Sequence, residues 1–115
     1  MQVPLQISFR NMDPSPAVES VIREKASKLD RYFSRIVSCE VTVEAPHKHH
    51  HKGKLYKVRI DISMPGKDVH VNQEGPQNQA HEDVYVAIRD AFDAAVRQVE
   101  DNARKMRGEV KNHSA

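Results

Sequence analysis

The residues with the greatest capacity for chemistry lie in a histidine-rich tract at positions 47–52, which reads His-Lys-His-His-His-Lys. Imidazoles this close together are able to bind Zn²⁺, Ni²⁺ or Cu²⁺, but the intervening lysines repel a cation and the histidines lack a regular ligand spacing. We therefore favour a polycationic loop that contacts phosphate through Lys48, Lys52 and Lys54. Two alternatives stay open: a solvated loop, and a metal site formed by His47, His49, His50 and His51.

The tract belongs to a longer basic zone. Residues 23–59 carry ten lysines and arginines against four carboxylates, although the whole chain has a net charge of only +2. A basic zone on a nearly neutral protein favours an anionic partner that binds in one orientation, whereas the alternative is a solvated, partly ion-paired surface. Outside the tract, the candidate RNA-binding residues of this zone are Lys25, Lys28, Arg31 and Arg35.

A second group of cationic residues lies in the C-terminal third of the chain. The candidates for RNA binding there are Arg89, Arg97, Arg104 and Lys105. A carboxylate precedes three of them by four residues, in the pairs Asp93 with Arg97, Glu100 with Arg104 and Asp101 with Lys105. This spacing predicts ion pairs within a helix, so part of this charge has a structural explanation.

Motifs for catalysis are absent from the sequence. It has no glycine-rich phosphate loop, no nucleophile elbow and no paired-cysteine metal motif, and it holds only four glycines in all. Cys39 is predicted to point inward from a strand, where a thiol packs as a small hydrophobic group. We therefore predict a protein that is not an enzyme and that uses no cofactor and no small-molecule substrate.

Alternating strands and helices must position these residues. Apolar side chains alternate with polar ones at 5–9, 37–43 and 56–64, and Val69 and Val71 follow a Pro-Gly turn as part of a hairpin. A cap within residues 13–16 and apolar residues at three- and four-residue steps predict a first helix. A second helix is predicted from Glu82 to about Gly108, with acidic residues in its first turn.

The predicted fold is a single α+β domain over residues 1–110, followed by a frayed tail at 111–115. Each strand is apolar on one side only, so both helices must cover the same face of a four-stranded sheet in a two-layer β-α-β-β-β-α sandwich. The other face stays open to water. It lacks aromatic residues on which bases could stack, and Glu40 and Glu44 repel phosphates, so helices and loops are the better RNA-binding surfaces.

The sequence also suggests a compartment. No stretch approaches the roughly 20 apolar residues of a membrane span, and no charged segment leads into an apolar run at the N-terminus. The single cysteine, Cys39, is unable to form an internal disulfide. We expect a cytoplasmic protein without a membrane partner.

Two segments resemble a known family. Residues 28–36 (Lys-Leu-Asp-Arg-Tyr-Phe-Ser-Arg-Ile) resemble the end of the first helix in the hibernation-promoting and ribosome-associated inhibitor proteins, also called the sigma-54 modulation family. Residues 83–88 (Asp-Val-Tyr-Val-Ala-Ile) resemble that family's opening of the second helix. The similarity extends over nearly the whole chain in the same element order.

The resemblance implies a domain similar in shape to a double-stranded-RNA-binding domain. It implies binding to the small ribosomal subunit and its 16S rRNA at the decoding region, where the bound protein blocks messenger and transfer RNA without breaking any bond. The residues that match basic positions of the family are Lys25, Lys28, Arg35, Arg97 and Lys105. The long C-terminal extension through which some relatives pair ribosomes is not seen here, so we expect an isolated monomer.

Two other functions compete with this one. The open sheet face or an edge strand could bind a protein partner, or the histidine tract could make the chain a metal-binding protein. We favour the ribosome-silencing interpretation, in which the cations at the end of the first helix and those in the histidine-rich tract form one RNA-binding surface.

Overall fold

The computed structural model describes residues 4–46, 56–73 and 83–113, except for the side chains of residues 73 and 106–113. The elements follow along the chain as β1 (Leu5–Arg10), α1 (Pro16–Tyr32), β2 (Ser38–Glu44), β3 (Lys57–Ser63), β4 (Val69–Gln73) and α2 (Val84–His113). This order confirms the predicted β-α-β-β-β-α architecture.

The four strands form one mixed sheet in the order β1-β2-β3-β4. β1 runs parallel to β2, because α1 returns the chain across the sheet between them. β2, β3 and β4 are antiparallel neighbours. The turn between β3 and β4 contains Gly66, whose φ of 92° lies in the left-handed region that glycine adopts without strain. The predicted hairpin is confirmed.

One face of this sheet and both helices enclose the core. Side chains along β2 and β3 alternate between buried and accessible, and the register aligns the buried Val41, Ile60 and Val71 in one row with the half-buried Ile7. α1 contacts β1, α2 contacts β3 and β4, and the helices contact each other. The largest fully buried side chains are Ile22, Ile60, Ile62, Ile88, Val41, Val43, Val58 and Val99. Each contributes about 1.5–3 kcal/mol by burial, and both helices cover one face as predicted.

The start of α1 has the predicted cap. The Ser15 hydroxyl oxygen accepts a hydrogen bond from the Val18 backbone N–H at 3.3 Å, and Pro16 occupies the first helical position, where its missing N–H does no harm. At the other end, the Phe33 N–H donates to the Leu29 carbonyl at 3.0 Å. The backbone of the helix is therefore hydrogen-bonded at both ends.

Three boundaries differ from the prediction. Val37 was expected to point inward at the start of β2, but it precedes the strand and is 59% exposed. Asp83 was expected in the first turn of α2, yet it lies before the helix and accepts the Tyr85 N–H at 2.9 Å, because an aspartate satisfies a free donor better as a cap. α2 continues to His113 rather than ending near Gly108, since one glycine costs a helix only about 1 kcal/mol.

Candidate RNA-binding surface

The second half of α1 and the turn that follows it carry the predicted cations. Burial of Val18, Ile22, Ala26 and Leu29 fixes which side of the helix faces the core. Lys28, Arg31 and Arg35 are exposed, and Lys25 is half-buried at the edge of the apolar stripe, as its position predicts. Arg31 lies in the last turn, where the helix dipole favours a positive charge.

These cations differ in how far their charge is compensated. The Lys28 ammonium lies 3.8 Å from the Glu24 carboxylate, and both side chains are more than 60% exposed, so the pair is weak. Lys25, Arg31 and Arg35 form no ion pair with any residue that the structure describes. Residues 23–35 thus form a cationic surface on which most positive charges are free to meet phosphate; we call it the α1 cationic surface.

The cations of α2 are interleaved with carboxylates. Arg89 pairs with Asp90 at 3.1 Å and Arg104 pairs with Asp101 at 3.2 Å. The pairs predicted from four-residue spacing do not form. Arg104 pairs with Asp101, three residues before it, and not with Glu100, four residues before it. Arg97 and Lys105 have no ion-pair partner among the side chains described, so the predicted pairs with Asp93 and Asp101 were wrong.

A groove separates the outer edges of the two helices. Its volume is about 490 Å³. On one side the groove is lined by residues of α1 and by the residue after it: Lys25, Lys28, Leu29, Tyr32 and Phe33. On the other side it is lined by residues of α2: Phe92, Asp93, Val96 and Glu100. This groove was not predicted from the sequence, and neither was a role for Tyr32. The available signal was the seven-residue step from Lys25 to Tyr32, which places both on one row of the helix.

The open sheet face has a different character. Gln6, Glu40, Asp61 and His70 align in one row across the strands, and Ser8, Thr42, Arg59 and Asn72 align in the next. The Asp61 carboxylate lies 3.1 Å from the Arg59 guanidinium and 2.7 Å from the His70 Nδ1. Within the described strands, this face carries carboxylates beside its cations and no Phe or Tyr. It therefore offers RNA neither net positive charge nor a stacking surface.

Cys39 lies on the core side of the sheet, as predicted. Its side chain is 4% exposed, and burial, together with the nearby negative charge of Asp61, raises the pKa of the Cys39 thiol to about 11. A thiol with such a pKa stays protonated at neutral pH and is a poor nucleophile. The chemistry of this residue is therefore packing.

Part of the predicted site lies outside the described residues. This part comprises Lys48, Lys52 and Lys54 and the histidines His47, His49, His50 and His51. Elsewhere, in residues 4–46, 56–73 and 83–113, no group of three His, Cys, Asp or Glu side chains could hold a metal ion. No helix in these ranges is long and apolar enough to cross a membrane. The role of the histidine tract stays a prediction.

Solved structures share this fold. A ribosomal subunit interface protein from Coxiella burnetii superposes with a TM-score of 0.68 at 16% identity, covering 86% of this chain and 96% of its own. The N-terminal domain of Protein Y from Thermus thermophilus superposes with a TM-score of 0.66 at 24% identity, covering 88% and 98%. At these identities the likeness shows the fold alone.

Sequence comparison adds the family. The chain is 28% identical over 94 residues to a ribosome hibernation promotion factor from Deinococcus radiodurans, covering 82% of this chain but only 46% of that protein. It is 36% identical over 91 residues to a ribosome hibernation promoting factor from Azotobacter vinelandii, covering 76% and 69%. The model of the Sigma 54 modulation protein / S30EA ribosomal protein family matches residues 5–107. The chain therefore belongs to this family, as its resemblance implied.

Proposed function

We propose that this protein binds the small ribosomal subunit through 16S rRNA in the decoding region and silences translation by occupying the paths of messenger and transfer RNA. The observation that carries the proposal is the α1 cationic surface, where Lys25, Arg31 and Arg35 have no acidic partner among the described residues. Family membership supplies the ribosome as the source of the anionic partner.

The contacts would be electrostatic and reversible. Lysine and arginine side chains on one helix displace condensed counterions from RNA phosphates, and this gain weakens as salt rises. Phosphate contacts fix the position and orientation of the bound protein. The bound protein then excludes messenger and transfer RNA because it occupies the same space. No step in this mechanism makes or breaks a covalent bond, and a ribosome-bound protein of this kind acts in the cytoplasm.

Cosedimentation with purified bacterial small subunits tests the proposal. We expect binding whose affinity falls as salt rises, by about 0.7 to 0.9 log units per log unit of salt for each phosphate neutralised. Charge reversal of Lys28 and Arg35 should weaken both binding and inhibition of translation in parallel, and should make the salt dependence shallower.

The matched control is reversal of Arg23, a cation on the same helix that is already paired with Glu19 at 2.8 Å. This change should weaken binding less than reversal of Arg35, which has no such pair among the described residues. Ribosome binding that is insensitive to salt, or that survives reversal of both Lys28 and Arg35, would contradict the proposed contact.

A further inference from the structure

We propose that the groove between α1 and α2 holds one unpaired nucleotide of RNA, with its base stacked on the Tyr32 ring and its phosphate on the α1 side. The inference rests on the proposed function, since it names what the same surface recognises beyond phosphate. In this proposal Tyr32 binds a base, whereas the lysines and arginines around it bind phosphate.

The exposure of Tyr32 is the first observation. Its side chain is 75% exposed, the highest value for a large apolar residue within the described parts of the chain. It is the last residue of α1 and lines the groove beside Lys28. An aromatic ring left in water among cations is the arrangement with which proteins stack splayed-out bases of single-stranded RNA.

The interior of the groove is apolar. Leu29 and Phe92 are 3% and 4% exposed and form part of the wall, and Phe33 and Val96 are half-buried beside them. The volume of about 490 Å³ lies in the range of sites for small organic ligands. A base inserted against Tyr32 would cover the Tyr32 ring and the accessible parts of Phe33 and Val96, since Leu29 and Phe92 are already withdrawn from water.

The two rims carry opposite charge. Lys25 and Lys28 lie on the α1 side, whereas Asp93 and Glu100 lie on the α2 side with no ion-pair partner among the described residues. The carboxylates repel phosphate, so the backbone must follow the lysines. They accept hydrogen bonds from N–H groups on base edges, where the exocyclic amino groups of adenine, cytosine and guanine each offer two N–H bonds and uracil offers only its single N3–H. The groove thus fits a nucleotide whose amino-bearing edge points to α2.

Continuity with the α1 cationic surface favours RNA over a protein segment as the occupant. Arg31 directly precedes Tyr32 and Arg35 follows three residues later, and both are exposed without an acidic partner in the described chain. An RNA strand held by these arginines would pass the mouth of the groove. One bound chain would then satisfy the phosphate contacts and fill the groove.

Affinity measurements with single-residue variants test the inference. Tyr32→Ala should weaken binding to purified small subunits about 10-fold without changing its salt dependence, because stacking releases no counterions. Tyr32→Phe keeps the ring and should bind within about 2-fold of the wild type. Tyr85→Ala, at an exposed tyrosine outside the groove, is the matched control and should have no effect. Circular dichroism would establish that each variant is folded.

Chemical probing of the bound RNA supplies a second measurement. Dimethyl sulfate and glyoxal, which modify adenine, cytosine and guanine, and a carbodiimide, which modifies uracil, should together reveal one adenine, cytosine or guanine whose pairing edge is protected by the wild type and by Tyr32→Phe but not by Tyr32→Ala. Protection confined to a uracil would overturn the inference. So would weaker binding of Tyr32→Ala with unchanged protection of every nucleotide, which would place a ribosomal protein in the groove.

The two proposals fail in distinguishable ways. If the wild-type protein does not bind small subunits at all, the proposed function is wrong and the inference falls with it. If the wild type binds with the expected salt dependence and Tyr32→Ala binds equally well, only the nucleotide site is wrong.

Discussion

The α1 cationic surface and the open face of the sheet both carry several charged side chains, but they arrange them differently. On the sheet, register places Glu44 between Arg10 and Lys57, and Asp61 contacts both Arg59 and His70. Lys25 and Arg31 on α1, and Arg35 in the turn after it, form no ion pair with any described residue. The three lysines and arginines of the open sheet face are balanced by three carboxylates, whereas the five of residues 23–35 are set against only two, so the first surface is neutral and the second is positive.

The difference shows that compensation matters more than the count of basic residues. A cation that already contacts a carboxylate must give up that contact before it meets a phosphate, and the released carboxylate then repels the RNA. Sheet register places Glu44 opposite Arg10 and Lys57, and Asp61 opposite His70, whereas the long side chains at the end of α1 have no partner imposed by register. A lysine or arginine on α1 therefore contributes more to the affinity for RNA than one on the sheet.

The strongest test of this comparison is a matched set of charge reversals. Changing Lys25, Arg31 and Arg35 together to glutamate should weaken ribosome binding by at least about 10³-fold, because charged hydrogen bonds contribute roughly 1.5–3 kcal/mol each. Changing Arg10, Lys57 and Arg59 on the sheet together to glutamate should alter it by less than about 3-fold. Filter binding at fixed salt measures both. Equal losses from the two sets would refute the comparison.

Much of the fold was predictable because local patterns agree with the tertiary arrangement. Alternation along β2 and β3 determines which side chains face the core, and the Ser15 cap and the hairpin turn determine where α1 begins and where the chain reverses. The structure agrees with each of these predictions. Ends were harder to predict. Val37 continues the alternating pattern but lies outside the strand, and Gly108 does not stop α2, since neither boundary is decided by a single residue.

The site was predictable only as separate residues. The helical periodicity of the apolar residues agrees with the half-buried position of Lys25 and the exposure of Lys28 and Arg31, whereas Arg35 lies beyond the helix. Which cations are compensated depends on rotamers, so the spacing rule misassigned Arg97 and Lys105. The groove depends on how α1 packs beside α2, and no pattern within one helix contains that information.

The second prediction concerns the buried side of the same sheet. The Cys39 pKa is raised to about 11, so the folded state favours the neutral thiol. The contribution of the neutral Cys39 thiol to the free energy of unfolding is complete below the ordinary thiol pKa of 9.0. It is lost as pH rises from 9.0 to about 11. The free energy of unfolding should fall by about 2–3 kcal/mol more in the wild type than in Cys39→Ala over this range. Urea unfolding at pH 8 and pH 11 measures the difference; parallel curves would contradict it.

The third prediction converts the sheet into a surface like α1. Glu40→Gln with Glu44→Gln removes two of the carboxylates that neutralise it, so the free cations should bind RNA without sequence preference. We expect roughly 10-fold tighter binding to an unrelated duplex RNA at low salt, and no gain at high salt. Fluorescence anisotropy measures this. Replacement of Thr42, a neutral neighbour on the same strand, by serine is the control and should leave RNA binding unchanged.

The smallest expected effect sharpens the comparison within α1. The Glu24 carboxylate lies 3.8 Å from the Lys28 ammonium. Among the described residues, it is the single carboxylate that pairs with Lys25, Lys28, Arg31 or Arg35. Glu24→Gln removes an exposed pair worth at most about 0.5 kcal/mol and removes a charge that repels phosphate. Affinity for the small subunit should rise about 2-fold at low salt and return to the wild-type value at high salt. Asp61→Asn on the sheet also frees a cation, but it should leave subunit binding unchanged if only the α1 side meets RNA. A gain from Asp61→Asn equal to that from Glu24→Gln would show that both surfaces face the ribosome.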